Sequence, residues 1–200
     1  MAQTLINNLS YSTLDATKLS GNLPAISGAS LTGINAETNS PYFDNKLTSN
    51  VTGKNNNTWY YLGYSAGFGV TTNVNVGSGW DESAGYYQAP KAGRYYFFIK
   101  QGCSGTSTHS GYDIGFSKLQ KASAGSTSFS DITNYPSCRN GTRPGNEGHC
   151  TGTVQFIINL TVGERIIFGV HVYSGGSQTN WQWANSDTRW GGMYLGAQYE

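Results

Sequence analysis

The run Arg94-Tyr95-Tyr96-Phe97-Phe98-Ile99-Lys100 constrains this chain more than any other stretch. In an extended strand successive side chains point to opposite faces, so Tyr95, Phe97 and Ile99 share one face while Tyr96 and Phe98 share the other. Both faces are apolar, and both need cover. In a two-sheet sandwich only the inner face meets the core. The outer pair therefore calls for a second subunit or a covering loop.

Other runs fit the same architecture. Thr153 to Leu160 alternates, with Val154, Phe156, Ile158 and Leu160 directed inward. The turn Thr161-Val162-Gly163-Glu164 leads into a strand from Ile166 to Tyr173, and Gly191 to Tyr199 reads as the last strand. Glycine (27 residues) punctuates the chain while proline (5) is scarce, which is the turn chemistry of short strands rather than of helix caps. No amphipathic helical period is present. The expected fold is all-β: two antiparallel sheets packed as a sandwich.

The charges balance, with 12 Lys and Arg against 11 Asp and Glu. No basic field exists to recruit nucleic acid or anionic lipid. No apolar run approaches the roughly 18 residues of a membrane span, and Met1-Ala2-Gln3-Thr4 does not read as a secretory leader. Neither nucleic acid nor membrane insertion is expected.

Residues 1–57 have a different texture from residues 58–200. The first part is rich in Asn, Ser, Thr and Gly, and its apolar residues Leu14, Leu19, Leu23, Ile26, Leu31 and Ile34 are irregularly spaced. Alone it buries too little apolar surface to offset its ordering entropy. It is expected to be an extended anchor and short stalk, its apolar side chains covered by partner copies or another protein. Asn55-Asn56-Asn57 marks the expected hinge.

Within the second part, Asn75, Trp80, Tyr87, Gly93, Tyr95 and Phe97 fall in a spacing that resembles the aromatic signature of the complement component 1q-like globular domain. The likeness continues through Thr151-Gly152-Thr153-Val154, Leu160 to Ile166, and Trp190-Gly191-Gly192-Met193-Tyr194-Leu195-Gly196. Departures are the position of Phe68, Ile99 in place of an aromatic, and a long loop-rich insert from Gly102 to Cys150. The resemblance implies a jelly-roll that forms tight homotrimers. Trp80, Tyr87, Tyr95, Tyr96, Phe97, Phe98, Trp190 and Tyr194 would then fill the core and the trimer interface. A second likeness lies in the first part. Asp15 to Gly33, with Lys18-Leu19-Ser20-Gly21 and Leu31-Thr32-Gly33, resembles segments of bacteriophage tail fibres and other phage structural proteins.

Signals for catalysis are weak. His109, His149 and His171 sit in no recognisable catalytic neighbourhood, and no nucleophile elbow or carboxylate pair accompanies them. The chain is not expected to be an enzyme, to need a cofactor or to bind a metal. Cys138 and Cys150 bracket a polar, glycine-rich loop that a disulfide would order, worth about 3 kcal/mol by chain entropy. Zinc is the rival there, but no Cys-x-x-Cys knuckle is present; Cys103 is left as the odd thiol. The cluster Trp181, Trp183, Asn185, Asp187, Arg189 has the indoles and polar groups of a sugar-binding surface. Burial at a subunit interface accounts for the same aromatics.

Together these features point to a structural virion protein: a short trimeric fibre held to tail or capsid proteins by its N-terminal segment, with a knob that adheres to a host-surface glycan or protein. A capsid-decoration or head-fibre protein is the nearest alternative. A bacterial surface or secreted lectin is the next.

Overall fold

The computed structural model describes residues 40–55, 57–65, 67–105, 113–140, 149–174 and 181–197. All lie in the unit Glu37–Glu200. The strands in chain order are β1 (Tyr42–Leu47), β2 (Val51–Lys54), β3 (Tyr60–Tyr61), β4 (Val70–Val76), β5 (Trp80–Asp81), β6 (Tyr86–Gln88), β7 (Gly93–Gly105), β8 (Asp113–Ala122), β9 (Ser130–Asn140), β10 (His149–Leu160), β11 (Arg165–Ser174), β12 (Trp181–Trp183) and β13 (Arg189–Gly196). No helix occurs among the described residues, and every strand pair is antiparallel.

Two sheets form. The first runs β10, β7, β13, β1, β4, with β12 and β2 continuing beside the far end of β7; the second runs β5, β6, β11, β8, β9, with β3 also on β11. The chain passes from the first sheet to the second between β7 and β8, returns between β9 and β10, and crosses again into β11. That is a jelly-roll connectivity.

Phe43 lies at the centre of the core. Its ring stacks on Trp80 (centroids 5.4 Å apart) and Tyr87 (4.9 Å) and meets Phe168 edge-on at 5.7 Å. Tyr95, Phe97, Ile99 and Trp190 are fully buried around it, each large side chain contributing on the order of 2–3 kcal/mol. The inward face of the Tyr95–Ile99 run is thus core. Gly191 and Gly192 let aromatic rings lie flat on both sides of β13. A Cβ on Gly192 would stand closer than 3.0 Å to the Phe97 ring, and one on Gly191 would stand 2.8 Å from Phe98 Cε1.

The fold departs from the sequence expectation in two places. It takes in β1 and β2, upstream of the boundary expected at 57/58. The strand Tyr42-Phe43-Asp44-Asn45-Lys46-Leu47 reads as polar because Asn45 occupies a core position. With its amide oriented to suit its neighbours, Asn45 Oδ1 accepts from the indole N–H groups of Trp80 and Trp190, each at 3.3 Å, while Nδ2 donates to Thr72 Oγ1 at 3.1 Å. The expected loop-rich insert from Gly102 to Cys150 likewise holds β8 and β9, both in the second sheet. Their pattern is hidden because Ser117 and Lys118 are buried beside Leu119, and register shifts interrupt the pairing at Gly115/Phe116 and Leu119/Gln120.

Candidate functional site

Four strands of the first sheet, β1, β13, β7 and β10, present an outer face whose side chains fall into rows across the strands. The register sets Tyr42 beside Met193, Met193 beside Tyr96, and Tyr96 beside Ile157. That row is wholly apolar. Tyr42, Met193 and Ile157 are 43%, 47% and 58% exposed, and Leu195 beside them is also exposed. The next row is Asp44, Gly191, Phe98, Gln155, and the one after is Lys46, Arg189, Lys100, Thr153. The face therefore grades from apolar to charged within three rows.

At the charged end an open depression of about 580 Å³ is lined by Asp44, Lys46, Asn73, Asn185, Ser186 and Arg189. Asp44 organises it: Oδ2 accepts from Asn73 Nδ2 at 2.9 Å and from the Arg189 guanidinium. Its Oδ1 is buried with no hydrogen-bond partner among the described residues. Lys100 Nζ reaches Asp187 Oδ1 at 3.4 Å, and Asp187 packs directly on Gly102, where a Cβ could not fit. The Asn185 backbone N–H donates to Asn50 Oδ1 at 2.9 Å. Arg189 also borders an apolar groove of about 420 Å³ with Tyr96, Phe98, Lys100 and Thr153, so it marks where the two halves of the face meet.

The residues singled out in the sequence separate on this framework. Asn185 and Arg189 share the depression, with Asp187 beside it. Trp183 does not belong to it: this residue is fully buried, edge-on to the rings of Tyr60 and Phe68 at 5.6 Å and 5.5 Å. The correction has a simple cause, since β12 places Trp183 opposite Cys103 on the inward side of β7. Trp181 begins β12, and its side chain lies outside the described set. Tyr96 and Phe98 face outward and are half-buried, whereas Trp80, Tyr87, Tyr95, Phe97, Trp190 and Tyr194 are buried. Cys138 stands opposite Gly115 in β9, and Cys150 opposite Cys103 in β10; the side chains of Cys138 and Cys150 are outside the described set. Leu14, Leu19, Leu23, Ile26, Leu31 and Ile34 lie outside the described residues.

Sequence reasoning missed Asp44 and Lys46 because it assigned β1 to the stalk, and Asn73 because Val70–Val76 was not read as a strand. The available signal was the alternation of Phe43, Asn45 and Leu47, legible once one polar residue is allowed inside.

Among the described residues no group of three or more His, Cys, Asp or Glu side chains is arranged to hold a metal ion. No protein-family model matches the chain, and no curated protein matches it. Among solved structures it is similar to the Eiger TNF of S. frugiperda, with 10% identity, a TM-score of 0.48, and coverage of 80% of this chain and 94% of that one. It is also similar to murine APRIL in a crystal structure at pH 5.0, with 9% identity, a TM-score of 0.47, and coverage of 78% and 99%.

Proposed function

We propose that this chain is a structural protein of a bacteriophage virion, a short homotrimeric fibre whose sandwich binds the host surface and whose N-terminal segment holds it to the particle. Its work is binding rather than catalysis. The observation that supports the oligomer is the apolar row Tyr42, Met193, Tyr96, Ile157 across four strands, flanked by Leu195 and Phe98. A contiguous apolar patch on a sheet face marks an interaction surface, and a second copy of the chain supplies the cover. The three-fold count comes with the complement component 1q-like spacing, and the virion assignment with the likeness of Asp15 to Gly33 to phage fibre segments.

Sedimentation equilibrium on the full chain tests the first part: three chains are expected, and a monomer at micromolar concentration would sink the oligomer and the fibre together. Deleting residues 2–34 tests the second. The sandwich is expected to stay folded and to disappear from assembled particles, whereas normal incorporation would remove the anchor. The Cys138–Cys150 cross-link belongs to the same proposal. Non-reducing peptide mapping should recover it, and recovery of Cys103 with Cys150, which the register sets side by side, would replace it.

A further inference from the structure

The outer face of the second sheet carries a different assembly. Trp59 and Tyr61 lie flat on β11: a Cβ on Gly169 would stand 3.2 Å from each ring and 2.9 Å from Lys118 Cγ. The Lys118 ammonium sits 4.3 Å from the Trp59 ring centre and donates to Asp131 Oδ1 at 2.8 Å. Gln120 Nε2 donates to the same oxygen at 2.6 Å. From Tyr61 the rings continue outward: Tyr64 meets Tyr61 edge-on at 6.4 Å and Phe129 at 5.6 Å. Phe129 precedes Asp131 by two residues in an extended run, which closes a circuit of Tyr61, Tyr64, Phe129, Asp131 and Lys118.

Two members of that circuit face solvent. Tyr64 is 44% exposed, held by a turn in which its N–H donates to Tyr61 O at 3.1 Å and Ser65 Oγ accepts from Tyr61 N–H at 2.8 Å. The Asp131 side chain is 58% exposed, yet its position is fixed by a lysine and an amide. An open ring beside a fixed carboxylate is what a pyranose recognises: its C–H face packs on the ring, and its hydroxyls donate charge-assisted hydrogen bonds to the carboxylate. Charge narrows the class further. Lys118 is buried under the rings and paired with Asp131, so the cluster is neutral overall and the charged atoms it exposes are carboxylate oxygens, which accept from hydroxyls and offer an acidic sugar no counter-charge. The small open apolar area, chiefly one tyrosine ring, falls far short of the roughly 800 Å² a side that a protein interface needs.

We infer that Tyr64, Phe129 and Asp131 form a binding site for a neutral saccharide on the face opposite the apolar row. The inference deepens the adhesion reading and rests on it only in taking the sandwich as the receptor-facing part. It is tested with the full chain on an array of immobilised neutral and acidic oligosaccharides, the oligomeric state being measured on the same sample. Binding to neutral members is expected. Tyr64→Ala should weaken it by roughly tenfold, Asp131→Asn should do so comparably, and Tyr64→Phe, which keeps the ring, should retain it.

An oligomer that binds no neutral saccharide overturns the inference and leaves the oligomer standing; a monomer that binds one through Tyr64 does the reverse. Preference for acidic sugars, or unchanged binding in Tyr64→Ala, overturns it. Should Asp131→Asn unfold the chain by stranding Lys118, Tyr64→Ala decides the matter alone, because its ring lies on the surface.

Discussion

The two outer faces of the sandwich solve the same problem differently. On the second sheet the chain covers itself: Trp59 and Tyr61 lie over Gly169 and Lys118, and Trp59 stacks on His171 at 4.9 Å. Of the corresponding positions on the first sheet, Tyr42, Met193, Ile157 and Leu195 stay open to water. A sheet face covered from within needs no partner and can carry buried polar groups, provided the cover also pairs them. One left apolar and open stores its cover in another molecule. The contrast separates what stabilises one chain from what joins several.

Removing the inner cover should produce the largest effect. Trp59→Ala uncovers Lys118 and His171 together, and a loss of roughly 3 kcal/mol in chain stability is expected by chemical denaturation, independent of protein concentration. A loss that shrinks as concentration rises would mean that Trp59 belongs to an interface, and the contrast between the faces would fail.

Met193→Asp on the open face should show the opposite signature. The site is exposed in the single chain, so stability there should change by less than about 1 kcal/mol. A carboxylate in the centre of the apolar row should weaken association by roughly 2–4 kcal/mol, read as dissociation in sedimentation velocity. If folding and association fell together, the row would be part of the core rather than a surface.

Acid should act on the covered face first. Burial beneath Trp59 holds the His171 pKa below its ordinary 6.5, with the Lys118 charge adding in the same direction against a backbone contact that raises it. The folded chain therefore takes up a proton less readily than the unfolded one. Stability is full above about pH 6.5 and falls below it, until His171 protonates in the folded state as well. Asp131 behaves later: its hydrogen bond from Lys118, then that from Gln120, hold its pKa below the usual 3.8, so its contribution is lost only as pH drops through the carboxylate range. His171→Phe should flatten the first phase of a stability–pH profile and spare the second. A profile unchanged by that substitution would show that the buried imidazole does not matter to stability.

These faces were not equally legible in the sequence. Tyr95 to Ile99 announces a strand with two apolar faces, and Val154 to Leu160 announces its partner, because alternation of large apolar residues survives in the plain text. The inner cover left little trace. Lys118 and Ser117 look like surface residues, and nothing local says that Trp59 lies some sixty positions upstream in a place to shield the lysine. Asn45 hid β1 in the same way, since a buried amide bonded to two indoles reads as a break in the apolar pattern. The indole at Trp183 misled in the other direction. Its polar neighbours Gln182 and Asn185 suggested a surface, while strand parity turned the ring inward.

The smallest expected effect lies at Arg189, where the charged and apolar halves of the open face meet. In the single chain its side chain is 46% exposed and that of its partner Asp44 is 22% exposed. Such a bridge contributes at most about 1 kcal/mol, and less as salt rises. Arg189→Ala should therefore leave the melting profile of a dissociated chain, such as the Met193→Asp background, within that margin. Asp44 keeps Asn73 as a donor, so its carboxylate is not stranded. In the associated state the outcome depends on how far the cover reaches. If partner copies cover only the apolar rows, Arg189→Ala changes association no more than it changes folding. If they extend over the depression, the pair is withdrawn from water, and removing the arginine leaves a buried carboxylate short of its counter-charge. Association would then fall by several kcal/mol. Sedimentation of Arg189→Ala at low and high salt thus locates the edge of the covered area. A salt-insensitive loss places it beyond Asp44, and no loss places it at Phe98.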